Sequence, residues 1–342
     1  MKASVKPATD VVVVLCTHNG AKWVEEQVWS LLTQTHPVAI RVFDDASTDE
    51  TVARILACTE GQDVKCVVRD KAMGVVDNFA TGIQSVLAEN FSYIALADQD
   101  DVWEPNRIEA GLSVIQAAEK DPTSPAAQLA HSDLVMVNAH NHVIHRSFIR
   151  WRNYQTKPSN SLATILGQNG VMGNTILMNR SLAELALPFP DNLHVHDYWL
   201  ALVAELLGTR HYIDEGLVHY RIHDGNVSNS APTVHIGAKR WFKGLSIQRL
   251  KQRDFRLPFK EDSRLIAVQS LLNDPRFRGL NTEQMVTIEA FLDYLTFENS
   301  RPSIAANVVK HHFLRPGLLH RTRILVSILT SQRYENVNPR NS

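Results

Sequence analysis

The chain has 342 residues, 44% hydrophobic and 21% charged, with 35 Lys+Arg against 36 Asp+Glu for a formal net charge of −1. That balance describes a globular protein of one large or two ordinary domains, and it gives no argument for a nucleic-acid partner or an acidic substrate. Cys16, Cys58 and Cys66 form no Cys-x-x-Cys pair and an odd total, so neither a disulfide framework nor a zinc site is expected, and the compartment reads as reducing.

Residues 1–10 are polar and lead into only a short apolar run, Val11 to Leu15. This is too short for a signal peptide, and no run approaches the roughly 18 apolar residues of a membrane span. A cytoplasmic protein is expected, working free or at the inner face of the membrane. The β-branched run Val11–Leu15 suits a strand buried on both faces. Val24, Val28, Leu31 and Leu32 then fall at helical spacing, with Asn19 placed to cap that helix and Pro37 beyond its end. A second strand, Ala39–Phe43, runs into Asp44-Asp45-Ala46-Ser47-Thr48-Asp49-Glu50. There Ser47 and Glu50 have capping-box spacing ahead of Val52, Ile55 and Leu56. A third strand (64–68), a helix opened by Gly74 with Phe79, Ile83, Val86 and Leu87 inward, and a fourth strand, Tyr93–Ala97, complete the alternation. It predicts a parallel sheet with right-handed crossovers and helices on both faces.

Beyond Trp103 the pattern predicts a helix started by Pro105, extended segments from Leu129 to about Phe148, and a loop from Trp151 to Asn160. A strand over Val171–Met178 and a short helix from Ser181, stopped by Pro188 and Pro190, come next. An apolar helix, Tyr198–Leu207, is closed by Gly208, and Asp214–His223 returns as strand and turn. From about His235, Lys and Arg are frequent and helical patterns lie near 236–255, 261–273, 283–299 and 302–332. A boundary near 232 therefore divides a catalytic domain, 1–232, from a helical region, 233–342. With Trp241, Phe242, Phe255, Phe259 and Phe313 among basic residues, that region either covers the core or lies on an anionic membrane surface.

The chemistry gathers where strands end in acids. The fourth strand stops at Asp98-Gln99-Asp100-Asp101, and these carboxylates repel one another unless a cation sits among them. Hard oxygen ligation of this kind suits Mg²⁺ or Mn²⁺; the plain alternative is an acidic surface loop. Asp44 and Asp45 end the second strand, and parallel-sheet geometry brings both groups to the edge where ligands bind. Asp197, behind His196, and His223 are further candidates that the sequence alone does not place there. A metal held by carboxylates with one imidazole fits a diphosphate leaving group, while a separate carboxylate accepts the proton of an attacking hydroxyl. That is the chemistry of sugar transfer from a nucleotide diphosphate.

Six motifs occur in order: Cys16-Thr17-His18-Asn19-Gly20, Asp44-Asp45-Ala46-Ser47-Thr48-Asp49, Gly74-Val75-Val76-Asp77-Asn78-Phe79, Asp98-Gln99-Asp100-Asp101-Val102-Trp103, His196-Asp197-Tyr198-Trp199 and Tyr220-Arg221-x-His223-x-x-Asn226. Over roughly residues 10 to 228 the chain resembles the family 2 glycosyltransferases, close to bacterial rhamnosyltransferase-like enzymes. The resemblance implies the GT-A fold, a Rossmann-like, mostly parallel sheet with helices on both faces; the helical region after 232 lies outside it. It also implies an inverting, metal-dependent transfer. In it, Asp197 is the catalytic base, Asp100 and His223 hold Mg²⁺ or Mn²⁺, and Asp45 and Asp98 bind the nucleotide with Thr17 and Asn19 beside it. His196, Trp103 and Trp199 are its acceptor-side candidates, with core packing as the alternative for the two tryptophans. The implied partners are a nucleoside-diphosphate sugar, with rhamnose, another hexose or an aminosugar, and a cell-envelope glycan or lipid-linked acceptor; peripheral membrane association through the C-terminal helices is an expectation from their composition alone.

The chain departs from the family pattern at Ala46 and Ala72. Many relatives carry Gly at the first, so a positive φ is not expected there. Many carry Asn at the second, where a nucleotide or loop contact is lost. Asp44 and Asp49 read as turn and helix-start residues, and His131, His140, His142 and His145 as a solvated hairpin, not a zinc site. A haloacid-dehalogenase phosphatase would place its Asp-x-Asp on the first strand, and a nucleotidyltransferase would want a Gly-rich phosphate loop. A catalytically idle partner in polysaccharide assembly is the non-enzyme alternative.

Overall fold

The computed structural model describes residues 9–155, 161–223, 263–314 and 318–330. Strand β1 (Val11–Thr17) is buried along its whole length. Its alternate side chains serve two cores. Val11, Val13 and Leu15 pack with α1 (Val24–Leu32), α2 (Thr51–Cys58) and α4 (Arg107–Glu119) on one face. Val12, Val14 and Cys16 pack with α3 (Val75–Leu87) on the other. The continuous valine run is what a strand covered on both faces requires.

β2 (Ala39–Asp44), β3 (Val64–Val68) and β4 (Tyr93–Ala97) join β1 in parallel, in the order β3-β2-β1-β4. Thr17 pairs with Asp44 and Leu15 with Ala97, so the carboxyl ends of β1, β2 and β4 come level. The strand order reverses at β1, which opens a crevice above those ends. Past β4 the sheet turns mixed. β8 (Leu177–Asn179) runs antiparallel to β4 and to β6 (Gln128–Asn138), and β9 (Thr209–Ile222) runs parallel to β6. β5 (Val102–Trp103) pairs antiparallel with β9, and β7 (Val143–His145) forms a hairpin with β6.

Several boundaries differ from the pattern. The residues expected as a strand over 171–178 make a 3₁₀ turn, Gly173–Thr175, and only three strand residues. Gly173 and Asn174 leave the ladder because their polar groups bond to acids described below. A short helix, α5 (Phe148–Arg152), capped by Ser147, whose side chain accepts from Arg150 N, takes the first two residues of the expected loop; residues 153–155 are irregular as expected, and 156–160 lie outside the described residues. The Ser47–Glu50 capping box does not form. Glu50 is the N-cap without a side-chain bond, because Ser47 turns back to Asp44.

Helices α6 (Ser161–Gln168), α7 (Arg180–Ala186) and α8 (His196–Leu207) cover the α3 face. Against them lie α9 (Ser263–Asn273), α10 (Thr282–Thr296), α11 (Arg301–Lys310) and α12 (Leu318–Thr330). Leu265, Val268, Leu271, Ile288, Phe291 and Phe313 belong to the same core cluster as Val12, Phe79 and Trp199. Phe313 meets the edge of Phe291 with centroids 5.0 Å apart, and Phe277 meets Trp199 at 5.8 Å. Gly167 on α6 has no room for a side chain, since a Cβ there would lie 2.0 Å from the Phe313 carbonyl oxygen. The boundary expected near 232, the helical pattern over 236–255, and Trp241, Phe242, Phe255 and Phe259 lie outside the described residues. Among the described residues no helix is long and apolar enough to cross a membrane.

Candidate active site

The three strand ends are laced together by their own loops. Thr17 Oγ1 donates to Asp44 Oδ2 at 2.7 Å, and Ser47 N and Oγ donate to the same carboxylate at 2.8 and 2.6 Å. Asp44 is therefore a turn residue, fully buried, as its position suggested. Thr17 was expected beside the nucleotide, but it is 2% exposed and its hydroxyl is engaged, so its side chain holds β1 to β2 instead. Asn19, expected to cap α1, does not: the N-cap is Trp23. Asn19 takes φ 50°, and its Oδ1 accepts from Thr48 N at 2.8 Å, tying the first loop to the second. Gln99 closes the third side. Its Oε1 accepts from His18 N at 2.8 Å, and its Nε2 donates to His18 O at 2.9 Å.

Asp45 sits at the tip of β2 with both oxygens occupied, accepting from Met73 N and Gly74 N at 2.8 Å each. It clamps the loop that opens α3, and each oxygen retains one further lone pair. Next to it, Ala46 has φ 59°. The expectation that no positive φ is needed here is wrong. Asp45 and Ser47 are each pinned from outside, and the residue between them is forced left-handed at a cost of about 1–2 kcal/mol for a non-glycine. Arg69, which the motif reading passed over, follows β3. Its Nε donates to Asn78 Oδ1 at 2.9 Å, while its Nη2 is buried with no hydrogen-bond partner among the described residues.

At the end of β4 the acids part company. Asp101 is fully buried, accepts from Arg221 N at 3.1 Å and also from Asn174 Nδ2, and so fixes the turn to β9. Asp100 Oδ2 lies 3.0 Å from His223 Nε2, and both side chains are largely shielded. Asp98 is pushed up to about 7 by burial first, then by the charges of Asp100 and Asp197. Asp197, on the first turn of α8, thus joins the group from a distant part of the chain. Its Oδ1 accepts from Asn169 Nδ2 at 2.9 Å and its Oδ2 from Gly173 N at 3.2 Å.

Asp197 opens α8, where the positive end of the helix dipole favours the anion, yet burial outweighs it. Burial raises its carboxyl to about 6 against three hydrogen bonds that favour the anion, so it is a stronger base than an exposed aspartate. His196 stacks on Phe79 with centroids 4.3 Å apart, and burial lowers it to about 4, which leaves a neutral ring.

The two tryptophans proposed for the acceptor are core residues. Trp199 is fully buried with Nε1 donating to Ala186 O, and Trp103 is 3% exposed beneath the Arg107 guanidinium. Neither offers a face to a sugar. Trp23, which helical periodicity concealed, is half-buried, stacks on His223 at 5.3 Å and carries the Arg221 guanidinium at 4.5 Å from its ring centroid. Arg221 itself is 1% exposed and ties three elements together. It donates to Asp100 O at 2.9 Å, Asn141 Oδ1 at 2.6 Å and Glu26 Oε2 at 2.6 Å.

Residues 12–182, half the chain, match the family described as Glycosyl transferase family 2. A dTDP-rhamnosyl transferase of Shigella flexneri, RfbG, is 32% identical over 108 residues, 30% of this chain and 36% of that protein. An uncharacterized glycosyltransferase of Rickettsia typhi is 24% identical over 223 residues, 65% of this chain and 66% of its own. The chain thus spans about a third of the first relative's length and about two thirds of the second's. Among solved structures, S. aureus TarS (1–349) in complex with UDP-GlcNAc is similar in fold, with a TM-score of 0.55 and 13% identity. That match covers 90% of this chain and 81% of that one.

Proposed function

The chain belongs to glycosyl transferase family 2, and from that membership we propose that it is an inverting enzyme that moves a sugar from a nucleoside-diphosphate donor to an acceptor hydroxyl. The observation that carries this is the row of groups at the strand tips: His223 against Asp100, then Asp98, then Asp197 within electrostatic reach of Asp98. One end of the row suits a diphosphate and the other suits a hydroxyl. Inversion is a single displacement, so one group must take the acceptor's proton as the new bond forms. Asp197 has the position and the basicity for it, with both oxygens oriented by donors that favour its charged form.

Asp100 and His223 offer one carboxylate and one imidazole, and among the described residues no group of three potential ligands stands ready. That donor set fits Mg²⁺ or Mn²⁺ bound by one or two side chains, with substrate phosphates and water in the remaining positions. Such a cation, when bound, neutralises charge on the departing diphosphate. Asp98 and Asp45 face the nucleotide from the tips of β4 and β2, Asn19 shapes the rim between them, and Arg69 adds a cation beyond β3. Trp23, on the His223 side, replaces Trp103 and Trp199 as the aromatic able to lie against a sugar. The C-terminal helices serve as a cover for the catalytic core. A cell-envelope glycan or lipid-linked oligosaccharide is the acceptor class, and the relative named a dTDP-rhamnosyl transferase makes dTDP-rhamnose the first donor to try.

The deciding experiment is a thermal-shift screen of UDP, dTDP and GDP with and without Mn²⁺. Release of the diphosphate from the matching sugar nucleotide is then measured. One nucleotide should raise the melting temperature only with metal present. Three flat responses with Mn²⁺ would sink the proposal.

A further inference from the structure

Asn169 belongs to none of the motifs. It follows α6 directly, in the left-handed region at φ 43°, and its N–H closes that helix on Ile165 O at 3.1 Å. Its amide nitrogen donates to Asp197 Oδ1 at 2.9 Å, while its own Oδ1 is buried and has no hydrogen-bond partner among the described residues. A side chain kept for packing or capping avoids a stranded oxygen of that kind, since an unpaired buried acceptor costs about 1–3 kcal/mol. The amide is committed to the carboxylate.

The helix that carries Asn169 is held from both sides. Tyr198, the neighbour of Asp197, donates its hydroxyl to Leu166 O at 2.9 Å. From the C-terminal helices, Arg264 Nη1 donates to Gly167 O at 3.3 Å, and the Phe313 backbone fills the space where a Gly167 side chain would stand.

We propose that Asn169 is a positioning residue that holds the Asp197 carboxylate in its proton-accepting orientation, and that the C-terminal helices, by clamping α6, hold Asn169. This rests on Asp197 as the base. Asn169 supplies the only side-chain hydrogen bond that Asp197 accepts among the described residues; the rest of the cradle is the Gly173 and Tyr198 N–H groups. The titratable groups around Asp197 are Asp98 from the β4 edge and the neutral His196 from its own helix. α6 brings no titratable side chain, and α3 brings the Phe79 ring against His196. Removing the amide therefore withdraws stabilisation from the anion and leaves the burial that opposes it.

The test is the titration of Asp197 in the full chain, followed by infrared difference spectroscopy of its carboxyl band and assigned by the band lost in Asp197→Asn. Wild type should titrate near 6. Asn169→Gly keeps the left-handed backbone, so its melting temperature should stay close to wild type while the Asp197 midpoint rises by about one pH unit. Asn169→Asp is the second variant. It retains size and local conformation but puts a carboxyl where the donor was, and the Asp197 midpoint should rise further. With the sugar nucleotide found active, Asn169→Gly should lower kcat about 10–100-fold at unchanged donor KM. An unmoved Asp197 midpoint in both variants overturns the proposal. Full turnover in Asp197→Asn would instead remove the base, whatever the titration of the Asn169 variants shows.

Discussion

Gly167→Ala is a one-methyl probe of whether the C-terminal helices are fastened to the catalytic core. The added Cβ would lie 2.0, 2.8 and 2.9 Å from the carbonyl oxygen, carbonyl carbon and Cα of Phe313, all backbone atoms that cannot swing away as a side-chain tip does. To restore ordinary contact, the chain at Phe313 must retreat by more than an ångström, and Phe313 is itself seated against Phe291 with 1% exposure. Overpacking of this type costs about 1–3 kcal/mol. At about 2.1 cal/mol/K per residue, the unfolding entropy of a chain this size is roughly 0.7 kcal/mol/K, so a 2 kcal/mol loss lowers the melting temperature by roughly 3 °C. Gly279→Ala is the matched control. Nothing lies within 4 Å of its Cβ and its φ is not in the left-handed region, so it should be neutral or stabilising by up to about 1 kcal/mol. Melting the two variants and wild type side by side decides the matter. Equal melting temperatures for Gly167→Ala and Gly279→Ala would refute the packing of Phe313 on α6.

Asp100→Asn should abolish the Mn²⁺-dependent part of the nucleotide thermal shift while the metal-free melting temperature stays near wild type. Turnover should climb as pH rises through about 6, the value to which burial lifts Asp197, and be flat above it; that limb should vanish in Asp197→Asn, with turnover lowered by about 10²–10⁴-fold. Because the folded pKa of Asp197 is raised, ionising it opposes folding: its contribution is most favourable below about pH 4 and is lost as pH rises toward 6. Asp197→Asn should accordingly melt higher than wild type at pH 7. Ala46→Gly should change stability by no more than about 1 kcal/mol, and in the stabilising direction, whereas Ala46→Val should cost more than that, read by urea denaturation. Arg221→Met strands the Asp100 carbonyl and Asn141 Oδ1, and it should cost about 2 kcal/mol and weaken the metal response.

The centre of the parallel sheet was legible because β1 and β4 are buried on both faces and so read as unbroken apolar runs, and because β2 and β4 stop at acids. Which acids share a site was not. Asn169 reaches Asp197 across 28 residues, and Arg221 reaches Glu26 across 195, and no local pattern reports such pairs. Trp199 and Trp103 drew attention as aromatics within motifs, yet position inside a motif is no guide to exposure, and Trp23 at the mouth of α1 had no motif to mark it. Ala46 misled for a related reason. Backbone conformation there is imposed by hydrogen bonds to Asp45 from Met73 N and Gly74 N and to Ser47 Oγ from Asn19 N, all on other loops, so residue identity at 46 was a poor witness to its φ. The strand expected over 171–178 was lost to the same kind of distant demand, when Gly173 and Asn174 turned to Asp197 and Asp101.

The helices from residue 263 on are also made after the core that they cover. Until they arrive, a nascent chain that has already released α8 carries an apolar wall, with Trp199 lacking the edge contact of Phe277 and α6 open where Phe313 will lie. The catalytic half therefore completes its folding only once those helices have been made, and needs shelter meanwhile. A frameshift or premature stop before about residue 314 would yield a sticky fragment for proteolysis, not a smaller enzyme.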